Sequence, residues 1–194
     1  MTRKLPQSAT RVETGPRVAA LDVLKAARAS GQDQGPTAGS DGAVTALPDL
    51  CDGLARDVRG LLPKAKSAAL TGDDQLRGCG WQSGEYGSLV QVIGYAAGAS
   101  PLRGGSAVSA AEAAYRSSLP AGVPSPVRSN QWDEGRLSVD HGAWHLTVRS
   151  GNVVLVVQLY LRYADLERLG AGAVGKGDRV VQPIAAHELA AIKG

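Results

Sequence analysis

The chain has 194 residues, with 21 Lys and Arg against 18 Asp and Glu, so its formal net charge is +3. A charge this close to balance argues against a polybasic protein that reads nucleic acid or membrane surfaces. No apolar run reaches the roughly 20 residues that a membrane-spanning helix needs. The first ten residues also lack the apolar segment of a secretory signal. We therefore expect no nucleic-acid partner and no integral membrane span.

The composition is poor in large rings, with 3 Trp, 5 Tyr and no Phe, although 43% of the residues are hydrophobic. The core must therefore rest mainly on Leu, Val and Ala. Such a core buries less apolar area per residue than one that is rich in aromatic side chains. A covalent crosslink would consequently contribute more to the stability of this chain than it does in most domains.

The first 46 residues have the composition of an N-terminal extension. Val18, Leu21 and Leu24 recur at helical spacing and predict one short helix over Arg17–Ala29. A Gly/Ser/Pro-rich linker follows over residues 30–42. The helix either docks on the domain or stays disordered, or else it binds a partner. Residues 47–194 are predicted to form a single α+β domain.

The clearest element is a helix that begins near Pro48 and ends at Pro63. Its apolar residues recur on one face at Leu50, Cys51, Leu54, Val58, Leu61 and Leu62. A polar stretch through residues 71–74 precedes two predicted strands, one around Arg77–Trp81 and one over Ser88–Tyr95. Ser109 and Glu112 have the spacing of a capping box, which predicts a helix ending before Pro120.

A Pro/Ser-rich loop over 120–129 leads to a meander of three strands, predicted over Arg136–Asp140, Ala143–Arg149 and Val153–Tyr163. In the second strand, Trp144, Leu146 and Val148 alternate with the outward His145, Thr147 and Arg149. We expect the last helix to begin at Pro183. The segment over residues 178–183 shows no helical pattern of its own. The order α-β-β-α-β-β-β-α predicts an α+β fold in which helices pack on an antiparallel sheet of about five strands.

The chain contains two cysteines, Cys51 and Cys79, and both fall in segments predicted to face the core. A disulfide would close a loop of about 29 residues and stabilise the fold by about 3.6 kcal/mol. The alternatives are two buried thiols or part of a metal site. A zinc site requires about four ligands, and there is no further cysteine to supply them. The disulfide is the preferred interpretation and indicates an oxidising compartment.

The order of these features resembles actinobacterial cell-envelope lipoproteins and secreted domains of unknown function. The resemblance rests on a helix carrying Cys51, a strand carrying Cys79-Gly80-Trp81, the acidic pair Asp133-Glu134, the hairpin over residues 146–154 and an Ala-rich closing helix. In layout the chain is also similar to the extracytoplasmic sensor domains of mycobacterial receptor kinases. The resemblance implies an exported, disulfide-linked α+β domain that binds a ligand. The resemblance implies no catalytic residues in this chain.

Several motifs suggest chemistry but lack its context. The segment Gly170–Gly177 satisfies G-x-G-x-x-G, yet no strand precedes it and no helix is predicted after it, so we interpret it as a surface loop. The three histidines, His141, His145 and His187, lack a convincing set of further ligands. The acidic pairs at 73–74 and 133–134 are too few for calcium. We therefore expect no cofactor, no metal and no catalytic residue.

The aromatic side chains can serve either the core or a binding cleft. Trp81, Trp132 and Trp144 supply bulk to a core that lacks Phe, or they line a cleft together with tyrosines. Tyr160 shares the outward parity of Gln158 and Arg162 on the last strand. The predicted ligand contacts are Tyr160, Arg162, Gln158 and Trp132.

The preferred function is that of a non-enzymatic domain in the cell envelope, a sensor or lipoprotein-like module. It would bind a small ligand, a glycan or lipid, or a protein partner, and its export signal or anchor would be missing from this chain. The alternative is a cytoplasmic interaction or assembly protein that docks through its N-terminal helix and has both thiols free. A hydrolase or transferase remains a third possibility, although the sequence contains no recognisable site for it.

Overall fold

The fold is built on one antiparallel sheet of seven strands in the order β1-β2-β3-β7-β6-β5-β4. The computed structural model describes residues 43–84, 87–98, 105–119, 124–140, 143–162 and 177–193. In chain order the elements are α1 (Leu50–Leu61), β1 (Lys66–Asp73), β2 (Leu76–Gln82), β3 (Leu89–Ala96), α2 (Ala107–Ser117), β4 (Ser125–Pro126), β5 (Glu134–Asp140), β6 (Ala143–Ser150), β7 (Val153–Tyr160) and α3 (Asp178–Lys193). The predicted helix over 17–29, its linker and the loop over 170–176 lie outside the described residues.

Helices cover both faces of the sheet. On one face, α1 packs on β1–β3 and α3 packs on β6 and β7, and the two helices also contact each other. The larger apolar cluster lies here and includes all three tryptophans. On the opposite face, α2 packs on β6 and β7 over a smaller cluster. We call these the α1/α3 face and the α2 face.

The predicted α+β class and antiparallel sheet are confirmed, but the expected five strands and their order are wrong. The described elements run α-β-β-β-α-β-β-β-β-α. The sequence interpretation missed β1, an edge strand that pairs only with β2 and whose residues 66–69 are exposed. An edge strand that faces water needs no apolar run, so its polar residues resembled a loop. The two-residue β4 is too short to give any pattern.

The helix starts also differ from expectation. Asp49, rather than Pro48, precedes α1, and its carboxylate accepts a hydrogen bond from the Cys51 N–H. For α2, the hydroxyl of Ser106 caps the Ser109 N–H, so the expected capping box at 109–112 does not form. The first turn of α3 begins at Asp178, which leaves Pro183 inside the helix. The missing Pro183 N–H would have bonded to the carbonyl of Arg179, an exposed residue, where water can satisfy it.

The end of the predicted surface loop is part of the core. Gly177 is buried, and a Cβ added to it would overlap the Trp144 indole. Its carbonyl accepts the N–H of both Val180 and Val181 in the first turn of α3. Absence of a side chain therefore allows the start of α3 to lie against Trp144. The glycine that resembled part of a phosphate loop has a packing role.

Asn152, in the turn between β6 and β7, joins three segments of the domain. Its side-chain amide donates to the carbonyls of Val44 and Ala97, both at 2.8 Å, and its side-chain carbonyl accepts the Val44 N–H at 3.0 Å. Its backbone carbonyl also accepts the Ala97 N–H. Asn152 is buried, so these bonds satisfy groups that water cannot reach. Val44, within the predicted extension, is thereby fixed to the domain.

The predicted disulfide joins Cys51 on α1 to Cys79 on β2, with their Cα atoms 5.1 Å apart. Cys79 is fully buried, whereas Cys51 is half-buried at the edge of the apolar face of α1. The crosslink spans 28 positions in the sequence and ties the helix to the sheet. It fits an oxidising, extracytoplasmic compartment.

Removal of this crosslink should destabilise the domain strongly. We expect the double variant Cys51→Ala/Cys79→Ala to lose about 2–4 kcal/mol of unfolding free energy, mainly through the entropy gained by its unfolded chain. Urea denaturation of wild type and variant measures the loss. As a control, reductant should add two mass units to the denatured wild type and should not change the variant. Equal stability of the two proteins would contradict the assigned role.

Candidate functional site

A row of polar side chains crosses the α2 face on four adjacent strands. Pairing places Gln91 of β3 opposite Gln158 of β7, Gln158 opposite His145 of β6, and His145 opposite Ser138 of β5. Paired residues on one face have Cβ atoms about 4.5–5.5 Å apart, so the four side chains are successive neighbours. We call these four residues the polar row.

Alternation along the strands explains why the row forms. Towards α2, the same face carries Ile93, Val156, Tyr95 and Val154, which pack under the helix. The next inward position on β3 and on β7 is a glutamine, so the face changes from apolar to polar beyond the area that α2 covers. Tyr160 follows two residues after Gln158 on the same face and is 43% exposed.

Most of the polar row is buried. Gln91 is 1% exposed, Gln158 is 7% exposed and His145 is 9% exposed, while Ser138 is half-buried. As predicted, His145, Thr147 and Arg149 lie on the opposite face of β6 from Trp144. All three are buried, however, and do not face solvent. The reason is that β6 lies inside the sheet, and every one of its residues is buried.

Two polar side chains here are buried and have no hydrogen-bond partner in the part of the chain that the structure describes. Both the Oε1 and the Nε2 of Gln91 lack one, as does the Oγ1 of Thr147, which lies one pair further along β6 from His145. Leaving a buried polar group unpaired costs about 1–3 kcal/mol. Folded proteins rarely retain such groups without a functional reason. Gln91 and Thr147 therefore mark this part of the sheet as a candidate binding site.

The structure brings together only part of the predicted ligand-contact set. Gln158 belongs to the polar row, and Tyr160 lies two residues further along β7 on the same α2 face. Arg162 lies beyond the end of β7, where it is exposed and its backbone N–H donates to the Ser88 Oγ. Trp132 lies elsewhere, 6% exposed, and its indole N–H donates to the Val127 carbonyl at 3.1 Å. Trp81 and Trp144 are likewise in the core.

The sequence interpretation missed Gln91 and Thr147. One signal was available for Gln91, because it is the only side chain able to form several hydrogen bonds in the otherwise apolar run Leu89–Ile93. For Thr147, no signal was available, since threonine is common in strands and its partners depend on the opposing strands.

The acidic pair at the start of β5, four residues along the strand from the polar row, is neutralised by Arg149. Arg149 is only 8% exposed and donates through Nη2 to Glu134 Oε1 at 2.9 Å and through Nη1 to Asp133 Oδ2 at 3.2 Å. Asp133 also accepts the Gly151 N–H at 2.8 Å. These carboxylates therefore hold β5 against the β6–β7 turn. Within the described ranges, no group of three His, Cys, Asp or Glu could hold a metal ion.

Tyr115, near the end of α2, is buried beside this charged group. Burial raises the pKa of its phenol above the usual value of 10.0, and the negative charge of Glu134 raises it further. The nearby Arg136 and Arg149 lower this pKa in part. Arg136 approaches the hydroxyl, but no hydrogen bond of good geometry joins them. The phenol is therefore protonated at neutral pH.

Among the helices that the structure describes, none is both long enough and apolar enough to cross a membrane. Comparison with protein-family models, with curated proteins and with solved structures gives no match to this chain. The site must therefore be interpreted from its own geometry.

Replacement of the unpaired hydroxyl should stabilise the protein. We expect Thr147→Val to raise the unfolding free energy by about 1 kcal/mol, because it removes a buried polar group and preserves side-chain shape. The matched variant Thr147→Ser keeps the hydroxyl and removes a methyl group, so it should be less stable than wild type by about 1 kcal/mol. Urea denaturation ranks the three proteins, and a loss of stability in the valine variant would show that the hydroxyl is satisfied.

Alkaline pH should distinguish wild type from Tyr115→Phe. Because the folded-state pKa is raised, the native protein retains a proton that the unfolded chain releases near pH 10, so this contribution to stability is complete below about pH 10 and is lost at higher pH. We therefore expect the unfolding free energy of wild type to fall more steeply above pH 10 than that of the variant. Denaturation curves between pH 8 and 11 test this, and parallel curves would contradict the raised pKa.

Proposed function

We propose that this protein is a non-catalytic binding domain of the cell envelope whose ligand is a neutral molecule rich in hydroxyl groups, such as a glycan. The observation that carries the proposal is the pair of unpartnered amide atoms of Gln91. A carboxamide presents one acceptor and two donors, and adjacent sugar hydroxyls can both donate and accept. The two groups are therefore complementary in hydrogen bonding.

The chemistry of the whole row favours a neutral ligand. Its side chains are two carboxamides, one imidazole and one hydroxyl, and Thr147 and Tyr160 add two further hydroxyls. None of them is an Asp, Glu, Lys or Arg side chain. The exposed ring of Tyr160 supplies an apolar surface at the end of the row, opposite the small Ala143. Binding sites for small molecules typically combine apolar walls with a few polar groups that fix orientation.

The disulfide supports the exported location. Bonded cysteines persist in oxidising compartments and are rare in the cytoplasm. The alternative cytoplasmic assembly protein requires both thiols to be free, and its docking helix over 17–29 lies outside the described residues. A role as an exported sensor or lipoprotein-like module therefore fits the fold better.

Direct binding measurements with neutral sugars test this function. We expect wild type to bind at least one member of a panel of glucose, galactose, mannose, arabinose and their disaccharides, detected by saturation-transfer NMR. Gln91→Leu should weaken that binding at least tenfold, because it removes both amide atoms and retains apolar bulk. The matched variant Gln131→Leu changes an exposed glutamine outside the row and should bind like wild type.

A second variant, at an exposed position, keeps the test valid if the buried substitution Gln91→Leu prevents folding. Tyr160→Ala alters an exposed side chain, so it should fold normally and still weaken sugar binding several-fold through loss of the ring surface. The proposal fails if no sugar in the panel binds wild type. It also fails if the Gln91 and Tyr160 variants both bind as tightly as wild type.

A further inference from the structure

A second pocket lies at the edge of the sheet, where the loop between β4 and β5 approaches the end of α2. Its volume is about 370 Å³, within the range of small-molecule sites. Its lining includes Tyr115, Trp132, Glu134 and two arginines, Arg128 and Arg136. The polar row is not part of this lining, so the pocket is a separate feature of the domain.

Close packing of a tryptophan on a glycine builds one wall. A Cβ at Gly135 would lie 2.6 Å from the Trp132 Nε1 and 2.7 Å from the Val127 carbonyl oxygen, so only glycine leaves room for the indole. The indole N–H then donates to the Val127 carbonyl and fixes the loop that carries Arg128. Trp132 therefore shapes the pocket through the position of this loop.

The charges of the pocket leave two cations without counter-charges. Glu134 and Asp133 are both bound by Arg149, which lies behind them and is 8% exposed. Among the residues that the structure describes, Arg136 and Arg128 form no ion pair. Counting these three arginines against two carboxylates leaves one net positive charge at the site. Neither guanidinium is bound to a carboxylate among these residues, and a guanidinium presents a planar set of donors that suits bidentate contact with an anion.

The floor of the pocket supplies a further hydrogen-bond donor. Tyr115 is 2% exposed, and its buried hydroxyl forms no hydrogen bond of good geometry with any residue that the structure describes, although Arg136 lies near it. Two of the last carbonyls of α2 are bonded, because the Ser118 N–H donates to the carbonyls of Ala114 and Tyr115 and the Ser118 hydroxyl also donates to that of Tyr115. This capping reduces the negative potential that a helix C-terminus would otherwise direct at an anion.

We propose that this pocket binds the anionic group of a small molecule, a carboxylate or a phosphate, through the guanidinium groups of Arg136 and Arg128 and the hydroxyl of Tyr115. The planar guanidinium of Arg136 contacts two oxygens of the anion. The Tyr115 hydroxyl donates to one of them and gains the partner that the protein does not supply. Arg128, on the exposed loop, covers the anion from the solvent side.

Titration of the full chain with simple anions tests the site. Inorganic phosphate and succinate are added separately at constant ionic strength, with chloride as the balancing anion, and the arginine Nε–Hε signals are followed by ¹⁵N NMR. We expect saturable shifts of the Arg136 signal with at least one of the two probes. The probe that binds more tightly distinguishes a phosphate site from a carboxylate site.

Variants then assign the binding to this pocket. Arg136→Gln should weaken binding of the preferred anion at least tenfold, and Tyr115→Phe should weaken it several-fold. Arg162→Gln is the matched control, because it removes an exposed arginine at the end of β7 and should leave binding unchanged. Equal weakening by Arg136→Gln and Arg162→Gln would overturn the proposal, as would the absence of saturation with both probes. Sugar binding at the polar row is measured independently, so either proposal can fail alone.

Discussion

Helices cover both faces of the central strand β7, and this burial isolates the polar side chains in the middle of the sheet from water. The strand lies between β3 and β6 near the middle of the sheet, with α3 on one side and α2 on the other. All its residues from Val153 to Leu159 are buried. A polar side chain at the centre of such a sheet has no access to bulk water and must find a partner in the protein or in a ligand. Gln91 and Thr147 lie on this sheet and have no hydrogen-bond partner among the residues that the structure describes, so they carry functional information that exposed polar residues would not.

Elements whose burial follows a simple period were predictable from the sequence. The apolar face of α1, the alternation in β6 and the paired cysteines all follow from local spacing, and the structure contains them. On α3, the apolar residues Ile184, Ala185, Leu189 and Ile192 recur at helical spacing and are likewise buried. Local patterns failed where an element is exposed or short, as in β1 and β4. They also failed at Pro183, because the helix-breaking tendency of proline is weak where the unpaired carbonyl faces solvent.

The candidate site was only partly predictable, because it depends on strand register. Gln158 and Tyr160 could be placed on a common face from parity alone. Gln91 joins them only because β3 pairs with β7 across a connection that contains α2 and the three strands β4, β5 and β6. The pocket at Arg136 similarly combines the end of α2, an edge strand and a loop that Trp132 holds in place. Contacts between elements that lie so far apart in the sequence cannot be predicted from a local residue pattern. Trp132 was predicted to line a binding cleft; in the structure it lines this pocket, and its indole N–H donates to the Val127 carbonyl.

The three-way junction at Asn152 has a consequence for how this domain can be divided. Its side chain is saturated by the backbone of Val44 and Ala97, so the segment before α1 is joined to the far end of the central hairpin. A shortened chain starting at Leu47 would leave this amide buried with one donor and its acceptor unmet, at a cost of about 1–3 kcal/mol. A piece of the domain that keeps these bonds therefore begins at or before Val44. A fusion or affinity tag attached after Val44 would replace the backbone that binds the Asn152 side chain.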